Sequence, residues 1–248
     1  MVVSTLVLGG SRGIGLEIAS GFARDGSHVF INYAGNDAVA EKAKQRILDE
    51  GGHCTLVKAD VSTTEGCTAI AHAVARETDR VDQLVHSAVM AYPTTTLGAE
   101  PSRFAKAVSV NGLSLLYITQ ALEGLLIRGS TVFYLTSRGG RTVVENYAAI
   151  GVSKALAESL VRYMAVELAP SGIRINCIAP GIVETEAVRA VFGSDAGSIV
   201  AQSGDKNPSG RGVQSDDYTE LMRFLASPAA EYITGQTFFV NGGANLHA

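Results

Sequence analysis

Short apolar runs alternate along the chain with longer stretches in which apolar side chains return every three or four positions, the two periods that mark strands and amphipathic helices. The runs fall at residues 2–8, 28–33, 53–58, 83–87, 131–136, 174–178 and 237–240, and the longer stretches at 14–25, 37–50, 65–78, 102–126, 147–168 and 216–225. This alternation predicts a single α/β domain over residues 1–248, a Rossmann-type doubly wound parallel sheet of about seven strands flanked by helices. No internal repeat or linker interrupts it. Residues 184–214 depart from the pattern. After a short helical beginning they become rich in Gly, Ser, Asp and Asn, as in GSDAGS and SGDKNPSGRG. An excursion of that length within a compact domain is disordered or functional, and its position just after Pro180-Gly181 predicts a mobile flap over a substrate.

Composition narrows the class. The 248 residues, 46% of them hydrophobic, are enough for one well-buried core and few for two. A net charge of −4 with scattered basic residues leaves no footprint for nucleic acid, and no such partner is expected. Cys54, Cys67 and Cys177 lack paired spacing, and His53-Cys54 is adjacent rather than spaced as metal ligands are. The expectation is no metal and a reducing compartment. The chain enters a strand at once, without a charged leader, and no apolar run approaches about 18 residues. A soluble, cytoplasmic protein with no membrane insertion is expected.

Directly after the first strand comes Gly9-Gly10-Ser11-Arg12-Gly13-Ile14-Gly15. Glycines here permit a tight turn and let backbone N–H groups approach a pyrophosphate at a helix N-terminus, where the dipole favours negative charge. The second strand ends Ile31-Asn32-Tyr33-Ala34-Gly35, with no acid before Asp37 to accept from a ribose 2′-hydroxyl, and Arg12 is a cation suited to a 2′-phosphate. NADPH is therefore expected ahead of NADH. The other candidate chemistry lies in residues 137–154, SRGGRTVVENYAAIGVSK. Tyr147 and Lys154 are seven residues apart in a predicted helix, so they share a face with roughly 10 Å between them along the axis.

The Gly-x3-Gly-x-Gly turn, the Tyr/Lys pair and Pro180-Gly181-Ile182-Val183-Glu184-Thr185 resemble those of the short-chain dehydrogenase/reductases, and the resemblance extends over essentially the whole chain. Members of that family usually carry Tyr-x3-Lys and an upstream serine. Counting four back from Lys154, or thirteen on from Ser137, lands on Ile150 instead. The Tyr-x6-Lys spacing seen here resembles the family's enoyl-acyl carrier protein reductases. So do His86-Ser87-Ala88-Val89, where Asn-Asn-Ala-Gly is usual, and Glu145-Asn146-Tyr147, Gly151-Val152-Ser153-Lys154 and Arg162-Tyr163-Met164-Ala165. A ketone reductase needs its phenol beside the carbon that receives hydride. In an α,β-unsaturated thioester the hydride goes to the β-carbon while charge grows on a carbonyl oxygen two carbons away, which suits an acid one turn further from the nicotinamide.

The resemblance implies that Tyr147 is the acid or oxyanion donor and that Lys154 holds the nicotinamide ribose and lowers the phenol pKa. It implies that Ser137 takes the family serine's place and that Asn111 is the asparagine that kinks a helix and positions a water near the lysine. It also implies a cofactor site built from Gly9, Ser11, Arg12, Gly13, Ile14, Gly15, Asn32, Tyr33, Asp60, Val61, Ser87, Ala88, Lys154, Pro180, Gly181, Ile182 and Thr185, with the Thr185 hydroxyl on the carboxamide. Asp60 is equally placed to cap the next helix. The expected activity is NADPH-dependent reduction of an enoyl thioester on acyl carrier protein or CoA. Reduction of 3-oxoacyl or other carbonyl groups is the alternative, and a non-catalytic NADPH-binding regulator the third reading. The polar flap offers few large apolar side chains for a long acyl channel. The tail, residues 233–243, resembles a last strand that helps build a tetramer, so a homotetramer or homodimer is expected.

Overall fold

The computed structural model describes residues 2–244 and 246. Its strands are β1 (Ser4–Leu8), β2 (His28–Tyr33), β3 (His53–Lys58), β4 (Val81–His86), β5 (Leu126–Leu135), β6 (Arg174–Pro180) and β7 (Thr237–Val240). All pair in parallel in the order β3-β2-β1-β4-β5-β6-β7. The helices are α1 (Gly13–Arg24), α2 (Asp37–Asp49), α3 (Thr64–Ala75), α4 (Pro101–Val108), α5 (Ser114–Ala121), α6 (Ala148–Leu168), α7 (Glu186–Phe192), α8 (Ala196–Asp205) and α9 (Ser215–Ala226).

Central strands are buried on both faces, and their side chains divide between two cores. Leu6 and Leu8 of β1, Leu84 of β4, and Val132 and Tyr134 of β5 pack with α3, α5 and α6. The intervening Val7, Val85, Phe133 and Leu135 pack with α1, α2 and α9. Period-two alternation in a doubly covered sheet requires this division. Strand order reverses between β1 and β4, which opens a crevice at the carboxyl ends of the strands, the usual ligand position in such sheets.

Two elements differ from the sequence expectation. The stretch 102–126 is not one helix: α4 passes through a π-helical turn, Ser109–Leu113, into α5, and Leu126 already belongs to β5. The Tyr134 hydroxyl donates to the Asn111 carbonyl, and Ser114 Oγ donates to the Val110 carbonyl at 2.6 Å, so side chains reach into the helical ladder where it widens. Gly112 also lets α6 come close, since a Cβ there would lie 3.1 Å from the Ser153 carbonyl. The second difference is the segment 184–214, which is largely helical, as α7, a 3₁₀ turn and α8. Thr185 caps α7 by accepting from Val188 N at 3.3 Å.

Candidate active site

A cavity of about 1230 Å³ lies over the crevice and is lined by Gly9, Ser11, Arg12, Gly13 and Ile14 at one end. Gly9 and Gly13 have φ of 69° and 54°, and a Cβ on Gly9 would come within 2.6 Å of Ala88 Cα. A Cβ on Gly15 would come within 2.4 Å of the Gly9 carbonyl, so Gly15 lies beneath the turn and allows its closure. Helix α1 starts at this turn with no side-chain cap, leaving its first N–H groups directed at the cavity end without a side-chain partner. The turn fits a dinucleotide pyrophosphate.

Further along, Asn32, Tyr33, Asp60 and Val61 line the cavity. Asn32 Nδ2 donates to the Val57 and Ala59 carbonyls at 3.1 and 3.0 Å, which fixes the chain leading to Asp60. Burial opposes ionisation of Asp60, but hydrogen bonds from Lys106 and Ser62 bring its pKa down to about 2. Helix α3 is capped by Thr63, which accepts from Gly66 N at 3.0 Å, so the capping alternative for Asp60 does not hold. The Tyr33 hydroxyl donates to Asp37, and Lys58 also pairs with Asp37, so the first acid beyond β2 already has a cation of its own. Arg12 is not free: it pairs with Glu186, the first residue of α7.

Ser87 and Ala88 follow β4 into the cavity, and Pro180, Gly181, Ile182 and Thr185 enter it from β6. His86, the departure in that β4 segment, is fully buried. Its Nε2 meets Ser114 Oγ at 2.6 Å, and its pKa is lowered to about 3 by burial and by Lys154, so it packs as a neutral ring. Thr185 Oγ1 is an acceptor at the α7 cap, which leaves its own proton for a ligand.

Tyr147, Lys154 and Ser137 all line the cavity. Tyr147 is the N-cap of α6 rather than part of its first turn. The chain reaches it through Asn146, at φ 57°, and through a parallel bridge to Thr94. Its hydroxyl lies 3.4 Å from Ser137 Oγ. Burial raises the phenol pKa above the usual value, with the Ser137 contact acting weakly the other way, so the phenol is a protonated donor at neutral pH. The expected lowering by Lys154 is not found. Lys154, 5% exposed, instead donates to the Leu135 carbonyl at 2.5 Å and lies 4.6 Å from the Tyr134 ring centroid. Burial lowers its pKa to about 8. Ile150, at the Tyr-x3-Lys position, is 2% exposed. Asn111 lies outside the cavity wall. Its side chain accepts from Met90 N at 2.7 Å and donates to Met90 O at 3.0 Å, tying the loop after β4 to the π turn.

Sequence reasoning missed the opposite wall. Val188, Phe192, Ile199 and Val200, from α7 and α8, line the cavity with Met90, Ala91 and Val144. The segment 184–214 thus brings apolar side chains to the cavity as well as polar ones, among them Glu184, Arg189, Ser203 and Asn207. Phe192 ends α7 while Ile199 and Val200 stand on α8, with the 3₁₀ turn Gly193–Asp195 between them, so no single helical stripe marks them in the sequence. Among the described residues no group of His, Cys, Asp or Glu is arranged to hold a metal, and no helix is long and apolar enough to cross a membrane.

A family model described as Enoyl-(Acyl carrier protein) reductase matches residues 9–245. The chain is 32% identical over 244 residues to 1-cyclohexenylcarbonyl-CoA reductase of Streptomyces collinus, covering 98% of this chain and 87% of that protein. It is 29% identical to 3-oxoacyl-[acyl-carrier-protein] reductase of Synechocystis sp., over 96% of this chain and 95% of that one. The crystal structure of enoyl-[acyl-carrier-protein] reductase (NADH) from Aquifex aeolicus superposes with a TM-score of 0.89 at 27% identity, covering 99% and 97% of the two chains. With its dinucleotide turn, its Ser137, Tyr147 and Lys154 cluster and these relatives, the chain belongs to the short-chain dehydrogenase/reductases, a family of nicotinamide-dependent oxidoreductases.

Proposed function

We propose that the protein reduces the C=C bond of an α,β-unsaturated acyl thioester, carried on acyl carrier protein or CoA, at the expense of NADPH. The observation that carries this reading is the half-buried phenol of Tyr147 at the cap of α6, while the position that would give Tyr-x3-Lys holds the core residue Ile150. Bound NADPH supplies the hydride. Tyr147, protonated and next to Ser137, donates to the thioester oxygen as negative charge grows there. Lys154 carries the charge that meets the ribose hydroxyls, and the apolar side chains of α7 and α8 hold the acyl chain and exclude water. Arg12, with no acid at the end of β2, favours the 2′-phosphate. The active assembly is a homotetramer or homodimer.

Carbonyl reduction is the second reading, and the Ser137–Tyr147 contact of 3.4 Å supports it, because that pair is suited to a ketone oxygen. The two readings separate when NADPH oxidation is followed with crotonyl and acetoacetyl thioesters side by side, and again with NADH. We expect faster turnover of the crotonyl thioester. Faster turnover of the acetoacetyl thioester would assign the protein to carbonyl reduction, and turnover of neither, with NADPH bound, would favour a regulatory role.

A further inference from the structure

Helix α6 carries a third polar residue on the face that bears Lys154. Glu158, one turn beyond the lysine, is 4% exposed. Its carboxylate does not point at Lys154. Oε1 accepts from Thr136 Oγ1 at 2.7 Å and Oε2 accepts from Arg141 Nε at 2.8 Å. Thr136 and Arg141 are the two ends of the short segment that leaves β5, turns through Arg138–Gly140 and passes over the start of α6. Ser137 stands within that segment. Gly139 packs so closely on the Tyr147 ring that a Cβ would lie 2.6 Å from two ring carbons, and a Cβ on Gly140 would lie 3.0 Å from Glu158 Oε1.

The chemistry of the arrangement is specific. A carboxylate taken out of water is costly unless hydrogen bonds occupy its oxygens, and removing one partner of such a pair is worse than replacing both. Glu158 is satisfied only when Thr136 and Arg141 are both in place, so its two oxygens set the height of the Ser137 turn above Tyr147. Its charge also bears on Lys154, whose other neighbours are the neutral His86 from β4, Tyr134 from β5 and Cys177 from β6, and it favours the ammonium form there. Arg141 reaches the carboxylate from a half-exposed position beside Phe239 of β7, its guanidinium 5.1 Å from the ring centroid.

We propose that Glu158 is a positioning residue for the reaction: by clamping Thr136 and Arg141 it holds Ser137 and the Tyr147 phenol in register with Lys154. The proposal rests on the family's active site as assigned above and not on which bond is reduced.

The test is Glu158→Gln, alone and combined with Arg141→Met, measured on whichever thioester the wild type turns over faster. The single variant is expected to lose at least about tenfold in kcat, with the NADPH Kd within about twofold of wild type and a lowered Tm. In the double variant no guanidinium faces an amide, so Tm should recover toward wild type while kcat stays low. A residue that merely stabilises the fold would recover both together, and that result, or an unchanged kcat in the single variant, overturns the proposal. If the single variant does not fold, the double variant alone decides, by the same split between Tm and kcat. A wild type inactive on both thioesters would overturn the proposed function instead. Amide exchange at Gly139 and Gly140 in the double variant then tests the clamp by itself: faster exchange supports it and unchanged exchange overturns it.

Discussion

At the scale of single residues the site is governed by a lysine that burial has made easy to deprotonate. Lys154 sits with its Nζ against the Leu135 carbonyl and the Tyr134 ring, and its pKa falls to about 8 because the charged form loses water. A lowered pKa on a base means that the charge is present below about pH 8 and lost as pH rises through it. In the proposed reaction it is the ammonium form that meets the ribose hydroxyls. We therefore expect kcat/KM to fall on the alkaline side with an apparent pKa near 8, while Tyr147, shifted upward by burial, stays protonated through that range. A pH profile of kcat/KM measures this directly, and Lys154→Met should abolish the limb along with most of the activity. A flat profile through pH 9 would show that Lys154 does not carry its charge into the rate-determining step.

Single elements decide how the phenol is held. Tyr147 is fixed less by helix geometry than by what surrounds the start of α6: Asn146 in the left-handed region, the bridge to Thr94, and the glycine pair Gly139 and Gly151, whose backbone and Cα meet at the ring. Gly139→Ala puts a methyl group 2.6 Å from the Tyr147 ring, and the ring must move. A shift of that kind displaces the hydroxyl from the developing oxyanion, so kcat should drop by at least about tenfold with cofactor binding unchanged. Steady-state kinetics and a cofactor titration read the two quantities, and an unaltered kcat would mean that the ring has slack. The same elements show what the sequence could and could not reveal. The dinucleotide turn was legible because its glycines follow an apolar strand immediately, and the Tyr147–Lys154 pair was legible because its spacing is unusual. Glu158 was not. A charged residue in an amphipathic helix reads as solvent-facing until Thr136 and Arg141, distant along the chain, are folded onto it. The inner wall of α7 and α8 was hidden for a related reason. Phe192 and the pair Ile199 and Val200 lie on two helices separated by the turn Gly193–Asp195, and only the fold brings them to one cavity. The break between α4 and α5 was invisible because its causes, the Tyr134 hydroxyl and the approach of α6 at Gly112, are tertiary.

Across the whole molecule, an ion pair joins the glycine turn after β1 to the segment that carries α7 and α8. Arg12 belongs to the glycine turn after β1 and Glu186 opens α7, far along the chain, yet the two side chains pair across the cavity mouth, and the Thr185 methyl packs on Gly13 beside them. If Arg12 serves the 2′-phosphate of NADPH, that phosphate and Glu186 compete for one guanidinium. The pair is 57% and 58% exposed, so solvent screens it and its contribution is at most about 1 kcal/mol. That is enough for a measurable effect, since about 1.4 kcal/mol corresponds to tenfold in affinity. Glu186→Gln should tighten NADPH binding by up to about fivefold and leave NADH unchanged, because NADH has no group to take the released arginine. Salt should narrow the difference, as expected for an exposed pair. Titration of both dinucleotides into wild type and variant supplies the comparison. Equal tightening of both would place the effect in the segment after β6 and not in the 2′-phosphate, and no change in either would mean that Arg12 does not meet a 2′-phosphate.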